Sequence, residues 1–85
     1  RGYNVHIGKL YSNEIDFIAT KGNDKIYFQV TYSLLDNKMI EREFGVLEKL
    51  KDNYPKIVLS LDKYYGENRN GIKWYNLIDF LLNDK

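Results

Sequence analysis

A change in hydrophobic period partway along this chain constrains its fold more than any single residue does. Over residues 25–32, Ile26, Phe28, Val30 and Tyr32 alternate with Tyr27, Gln29 and Thr31, the period of two that a strand needs to present two different faces. The period then lengthens. Ile40, Phe44, Leu47 and Leu50 recur at three to four residues, the stripe of a helix with one buried side. It then disappears altogether: Ile57, Val58 and Leu59 stand in a row within residues 56–61, as in a strand covered on both faces. Strand, helix and strand in that order form a βαβ unit, which brings two parallel strands together under one helix with a right-handed crossover.

The same reading extends to both ends. Tyr3, Val5 and Ile7 alternate with Asn4, His6 and Gly8, which predicts a first strand over 2–8. A second is predicted over 14–20, with Ile15, Phe17 and Ala19 on one face and Glu14, Asp16 and Ile18 on the other. Lys21-Gly22-Asn23-Asp24 reads as a hairpin turn, because Gly and Asn tolerate positive φ. The first three strands are therefore expected as an antiparallel meander. Asp36 or Asn37 can cap a helix running to about Asp52, where Asn53-Tyr54-Pro55 ends it. Glu41, Glu43, Glu48, Lys49 and Lys51 are expected to be solvated, with Glu41, Arg42, Glu43 and Glu48 forming a salt-bridged helix face. Gly45 costs this helix about 1 kcal/mol against Ala, and close packing on the sheet would account for it. Residues 62–71 read as a polar loop and 71–75 as a short last strand carrying Trp74 as a core anchor. Asn76 can cap a final helix whose apolar positions are Leu77, Ile78, Phe80, Leu81 and Leu82. The fold class is α/β: a mixed sheet with an antiparallel three-strand meander, then a βαβ crossover and a C-terminal helix.

Composition narrows the function classes. Eighty-five residues make one domain, and a domain this small buries only about 60% of what its unfolded chain exposes. The 8 Tyr, 4 Phe and 1 Trp supply much of that buried area. A net charge of +1 points to neither nucleic acid nor membrane as a partner, although a local basic patch is compatible with it. With no cysteine there is neither a disulfide nor a thiolate metal site, which suits a cytoplasmic protein. No apolar run approaches the ~18 residues of a membrane-spanning helix, and no signal peptide is visible. The chain starts at Arg1 and enters a strand pattern at once, so it is expected to be a piece of a longer protein.

Three segments carry a resemblance. The first is Gly2-Tyr3-Asn4-Val5 with Gly8-Lys9-Leu10. The second is Glu14-Ile15-Asp16-Phe17-Ile18-Ala19 followed by Ile26-Tyr27-Phe28-Gln29-Val30-Thr31-Tyr32. The third is Glu41-Arg42-Glu43-Phe44-Gly45-Val46-Leu47-Glu48 with Asp52-Asn53-Tyr54-Pro55-Lys56, then Leu59-Ser60-Leu61-Asp62. In this order they resemble the C-terminal domain of unknown function that follows the ATPase module in many bacterial and archaeal AAA+ ATPases. The order of elements is similar to the restriction-endonuclease-like (PD-(D/E)XK) core without its opening helix. The resemblance implies an upstream ATPase module that holds the ATP, and a sheet surface laid bare where the opening helix is absent, hence a tendency to self-association.

Nucleases of that fold hold Mg²⁺ between an Asp at the second strand and an acid on the third, with a Lys two residues later to orient or activate water. Mg²⁺ demands hard oxygen ligands, commonly one or two carboxylates, and acts by polarising phosphate and acidifying bound water. By this resemblance Asp16 matches the first acid, Gln29 stands at the second and Thr31 at the Lys. An amide and a hydroxyl supply no charge. Glu14 shares the predicted face of Asp16, but about 6.6 Å further along the strand. The expectation is a vestigial site in a non-catalytic accessory domain that docks on its ATPase module or on a partner, protein or DNA. The alternatives are a metal-dependent nuclease built on Asp16, Gln29 and Glu14, and a nucleic-acid-binding module. For the last, Lys63-Tyr64-Tyr65, Arg69 and Lys73-Trp74 interleave bases with aromatics, as stacking platforms do, although Asp62 and Glu67 lie among them. His6, the lone histidine, reads as structural. Residues 66–71 lack the Lys-Ser/Thr ending of a phosphate loop.

Overall fold

The strand at the middle of the sheet meets neighbours of opposite direction on its two sides, and that mixed arrangement organises the computed structural model, which describes residues 2–8, 15–62 and 69–83. Strands β1 (Asn4–Ile7), β2 (Phe17–Lys21) and β3 (Asp24–Val30) precede helix α1 (Asn37–Glu48). Strands β4 (Lys56–Ser60) and β5 (Lys73–Asn76) follow, and helix α2 (Leu77–Asn83) closes the order. The five strands lie in the order β1-β2-β3-β4-β5. The first three are antiparallel and β3, β4 and β5 are parallel. The meander, the βαβ unit and the terminal helix are thus all present.

Local chemistry explains the joints. Lys21 pairs with Asp24 across a two-residue loop, and Gly22 takes φ +61 at its first central position, where a II′ hairpin requires glycine. Asp36 is the N-cap of α1: its backbone is extended and its carboxylate accepts the N–H of Lys38. The helix ends at Glu48, four residues before Asp52. Asp52 is held outside it, accepting from the Tyr27 hydroxyl at 2.7 Å, the Lys56 ammonium and the Tyr54 N–H. Asn70 and Gly71 both have positive φ, at 53 and 83, and close a tight turn in which Arg69 and Ile72 bond to each other. The side chain of Asn76 accepts the N–H of Asp79 and so caps α2.

Pairing register sorts the side chains into two faces. Tyr27, Gln29, Val58, Ser60 and Trp74 lie on the face beneath α1, where Phe44 and Leu47 meet them. Val5, Ile7, Phe17, Ala19, Ile26, Phe28, Ile57, Leu59 and Tyr75 lie on the other. Strand β4 is buried on both faces from Ile57 to Ser60, as its unbroken apolar run demands. Trp74 is a core anchor; its ring stands edge-on to Phe44.

Three expectations need correction. Ile15 is not on the face of Phe17 and Ala19: the chain bends at Asp16, before β2 begins, and Ile15 joins the cluster of Phe44 and Leu47. Strand alternation fails there because residue 16 is not in extended pairing. Glu43 is not solvated but buried, for the reason given below. Gly45 is not placed by close packing, since a Cβ built there has nothing within 4 Å.

The last point has a direct consequence. Gly45→Ala removes backbone freedom from the unfolded chain without creating a clash, and is expected to stabilise the protein by about 0.5–1 kcal/mol. Urea denaturation of the two proteins should show a higher midpoint with an unchanged slope.

Candidate functional site

Asp16 and Gln29 are brought together, but by hydrogen bonds that occupy their polar atoms. The Asp16 N–H donates to Gln29 Oε1 at 2.7 Å, and Asp16 Oδ2 accepts the Val30 N–H at 2.9 Å. The bend before β2 is thereby stitched to the end of β3. Gln29 is 4% exposed, and its Nε2 donates to Glu43 Oε1 on α1 at 3.0 Å. Arg42 approaches the other Glu43 oxygen at 3.5 Å. A carboxylate cannot be buried without a donor, and Gln29 supplies it. The amide has a donor and an acceptor end, so one side chain serves Asp16 on one side and Glu43 on the other. Glu43 belongs to this site and was not recognised from the sequence. Its signal was present: it stands one residue before Phe44, at the edge of the buried stripe.

Thr31 lies beyond the end of β3, its N–H bonded to the Leu59 carbonyl and its hydroxyl 3.5 Å from the Ser33 carbonyl. Glu14 lies outside the described residues. Among the described residues no group of three or more His, Cys, Asp or Glu side chains could hold a metal ion. Asp16, Gln29 and Thr31 offer one carboxylate, one amide oxygen engaged by the Asp16 N–H, and one hydroxyl, with the Glu43 carboxylate on the far side of the amide.

A second polar cluster stands at the C-terminal ends of the parallel strands. Asp62 Oδ2 accepts from the Leu34 N–H at 2.7 Å and from the Ser60 hydroxyl at 2.8 Å, while Oδ1 accepts from the Ser33 hydroxyl at 2.9 Å. Ser60 in turn accepts the indole N–H of Trp74, and Asn76 donates to the Asp62 carbonyl. Burial works to raise the Asp62 pKa, but the Leu34 N–H and the Ser60 and Ser33 hydroxyls outweigh it and hold the carboxyl below its usual range. This cluster latches the segment after β3 to the end of β4, and it is structural.

Of the basic and aromatic residues of the last third, Lys63, Tyr64 and Tyr65 lie outside the described residues, and Arg69, Lys73 and Trp74 do not share one exposed surface. Arg69 donates to Glu41 through both terminal nitrogens, at 2.9 and 2.8 Å, and to Glu48 through Nε at 2.8 Å, with its guanidinium over the Phe44 ring. Those bonds push its pKa further up and draw both carboxyls down. Of the expected ion pairing along the α1 face, Arg42 with Glu43 is present, while Glu41 and Glu48 pair with Arg69, a clamp that ties the 69–72 turn to the helix. Lys73 is exposed, whereas Trp74 is buried and unavailable for stacking. His6 shares a 3.2 Å hydrogen bond with Thr20.

At the opposite end of the sheet, Lys25 sits over the rings of Tyr27 and Tyr54, and Lys56 over that of Tyr27. Burial, then the bond to Asp52, push the Tyr27 hydroxyl up to about 12. Beside them opens a cleft of about 320 Å³ lined by Leu47, Leu50, Asp52, Lys56, Asn70 and Ile72. Lys56 donates to Asp52 and to the Asp52 and Tyr54 carbonyls, and Asn70 to Glu48. Those polar groups are engaged within the protein.

No family model matches the chain. The chain is 42% identical over 83 residues to an uncharacterised protein of Haemophilus influenzae (strain ATCC 51907 / DSM 11121 / KW20 / Rd), a match that takes in 96% of this chain and 20% of that protein. It therefore spans about a fifth of the length of the relative it matches. No described helix is long and apolar enough to cross a membrane.

The Asp62 latch makes a pH-dependent contribution of known sign. Its folded pKa lies below the 3.8 of a free carboxyl, so its stabilisation is fully present above that value and is lost as pH falls through the folded one. Asp62→Ala should cost about 1–3 kcal/mol at neutral pH, by orphaning the Leu34 N–H and two hydroxyls. The gap between the two proteins should close in acid, as followed by urea denaturation over a pH series.

Proposed function

We propose that this domain is a non-catalytic accessory module of a longer AAA+-type ATP-binding protein, a nuclease-like fold whose metal site has been turned into an internal hydrogen-bonded bridge. The observation that carries the reading is the Gln29 amide, joined to Asp16 at 2.7 Å and to Glu43 at 3.0 Å. An acid at position 29 would set two carboxylates about that close in a buried place, where like charges are strongly unfavourable without a cation between them. A neutral amide removes that demand and leaves the helix locked to the sheet. Without a basic group at Thr31, nothing in the trio activates water. The domain's work is then recognition or docking within the longer protein, cytoplasmic in setting, with its ATPase module or with protein or DNA as the partner. The share of the Haemophilus relative that lies outside the match leaves room for such a module.

Calorimetric titration with Mg²⁺ or Mn²⁺ should give no saturable heat for the protein as it stands. Gln29→Glu should lose about 1–3 kcal/mol of stability at neutral pH and regain it on adding Mn²⁺, since the new carboxylate then faces that of Glu43 and a cation between them offsets the repulsion. Divalent binding by the unaltered protein that Asp16→Ala abolishes, together with nicking of plasmid DNA by the full-length protein, would establish the nuclease instead. A full-length reading frame without a Walker A sequence would remove the ATPase context.

A further inference from the structure

The fold sorts charge that the sequence scatters. Strands β3, β4 and β5 are parallel, and α1 runs back between the first two. The starts of those strands, the β2–β3 hairpin and the C-terminal end of α1 therefore lie at one end of the sheet. That end carries Lys21 and Lys25 beside the hairpin turn, Lys49 and Lys51 after α1, and Lys56 and Lys73 as the first residues of β4 and β5. Of the carboxylates near them, Asp52 is engaged by Lys56, the Tyr27 hydroxyl and the Tyr54 N–H. Glu48 is engaged by Arg69 and Asn70, and Asp24 stands at the hairpin. The opposite end carries Asp16, Asp36, Asp62 and Asp79 with Lys38. A net charge of +1 conceals this division.

Most of these lysines keep their charge uncompensated. Among the described residues, Lys56 is the one of them that forms an ion pair. Lys25 Nζ is held 5.7 Å from the centre of the Tyr27 ring and 5.3 Å from that of Tyr54, and Lys21 Nζ 5.8 Å from that of Tyr3. A ring face orients an ammonium without neutralising it. Lys49, Lys51 and Lys73 are exposed. The partial negative charge at a helix C-terminus accounts for Lys49 and Lys51, but not for Lys21, Lys25 or Lys73. Adjacent strands are about 4.8 Å apart, so from β2 to β5 these cations span roughly 14 Å. Like charges gathered at that spacing repel one another, and nothing inside the domain compensates them.

We propose that this end of the sheet is a docking surface for the phosphate backbone of a nucleic acid. Lysine is a hydrated point charge on a flexible stem, suited to phosphates that repeat along a strand. The described arginines, whose forks match carboxylates, are already taken by Glu41, Glu43 and Glu48. A protein partner would need buried apolar anchors at the centre of the contact. Residues 49–56 expose one large apolar ring, Tyr54, at 37%, and a tyrosine ring can stack on a base. The surface lies at the start of β3, whereas Gln29 and the Val30 N–H that binds Asp16 lie at its end. The inference thus goes beyond the reading of Asp16 and Gln29: metal titration tests one set of residues and salt dependence the other.

Fluorescence anisotropy of a labelled duplex DNA of mixed sequence with the full-length protein should show an affinity that falls linearly with salt on logarithmic axes. Lys49→Gln and Lys51→Gln should each weaken binding several-fold, equally for a second duplex of unrelated sequence, and should lower the slope by about 1. Both side chains are exposed, and unchanged circular dichroism confirms that the variants fold. Lys38→Gln, at the acidic end, should alter neither affinity nor slope. Absence of salt-dependent binding, or binding that both substitutions leave unchanged, would overturn the proposal, as would an equal loss in Lys38→Gln. So would tighter capture of the protein by poly-glutamate or by phosphatidylserine vesicles than by DNA, which would assign these lysines to an acidic protein or to a membrane.

Discussion

A carboxylate buried between a helix and a sheet must be given a donor, and that requirement governs this domain. Glu43 takes its donor from Gln29, and Gln29 takes its own from the Asp16 N–H. The bridge fixes how α1 is rotated on the sheet, because Glu43 precedes Phe44 and lies at the margin of the buried stripe. It also fixes how the chain enters β2, because Asp16 returns a second bond to the Val30 N–H. The proposed loss of catalysis follows from the same bond. On the proposed reading, the two ends of this amide hold helix to sheet in the place where a cation would otherwise be needed.

The remaining polar groups obey the same rule at a distance from that bridge. Asp62 collects two hydroxyls and an N–H at the ends of β3 and β4. Arg69 is gripped by Glu41 and Glu48. Among the described residues no buried side-chain nitrogen or oxygen lacks a hydrogen-bond partner. What stays exposed is in part apolar, and it includes Val5 and Ile7 on the face away from α1 and Tyr32 and Leu35 in the segment leading into α1. A small domain has little surplus of burial, so side chains such as Val5 and Leu82, at 66% and 71% exposure, forgo stabilisation it could use.

Much of the architecture was legible from the chain because periodicity reports burial directly. The alternation from Ile26 to Tyr32, the stripe through Phe44 and Leu47, and the run Ile57-Val58-Leu59 correspond to β3, α1 and β4. The turn at Gly22 and the caps at Asp36 and Asn76 were readable because each depends on one residue's local chemistry. The burial of Glu43 was not readable: its environment is set by a glutamine 14 residues away in sequence, which only the fold brings near. The partners of Arg69 were hidden for the same reason. Its two carboxylate partners lie 28 and 21 residues upstream, and a cation read along the chain shows its neighbours, not its partners. Ile15 changed faces because a single bend at Asp16 resets the alternation.

The sequence by itself determined which segments are strands and helices, where they turn, and that the sheet is mixed with one helix crossing it. Those properties rest on local sterics and on the period at which apolar side chains recur. Only the tertiary structure decided that Gln29 joins Asp16 to Glu43, that Arg69 is enclosed by acids, and that Val5 and Ile7 stay exposed while Ala19 beside them is buried. Each of those outcomes depends on which side chains meet across the sheet, and pairing at long range is a property of the folded chain.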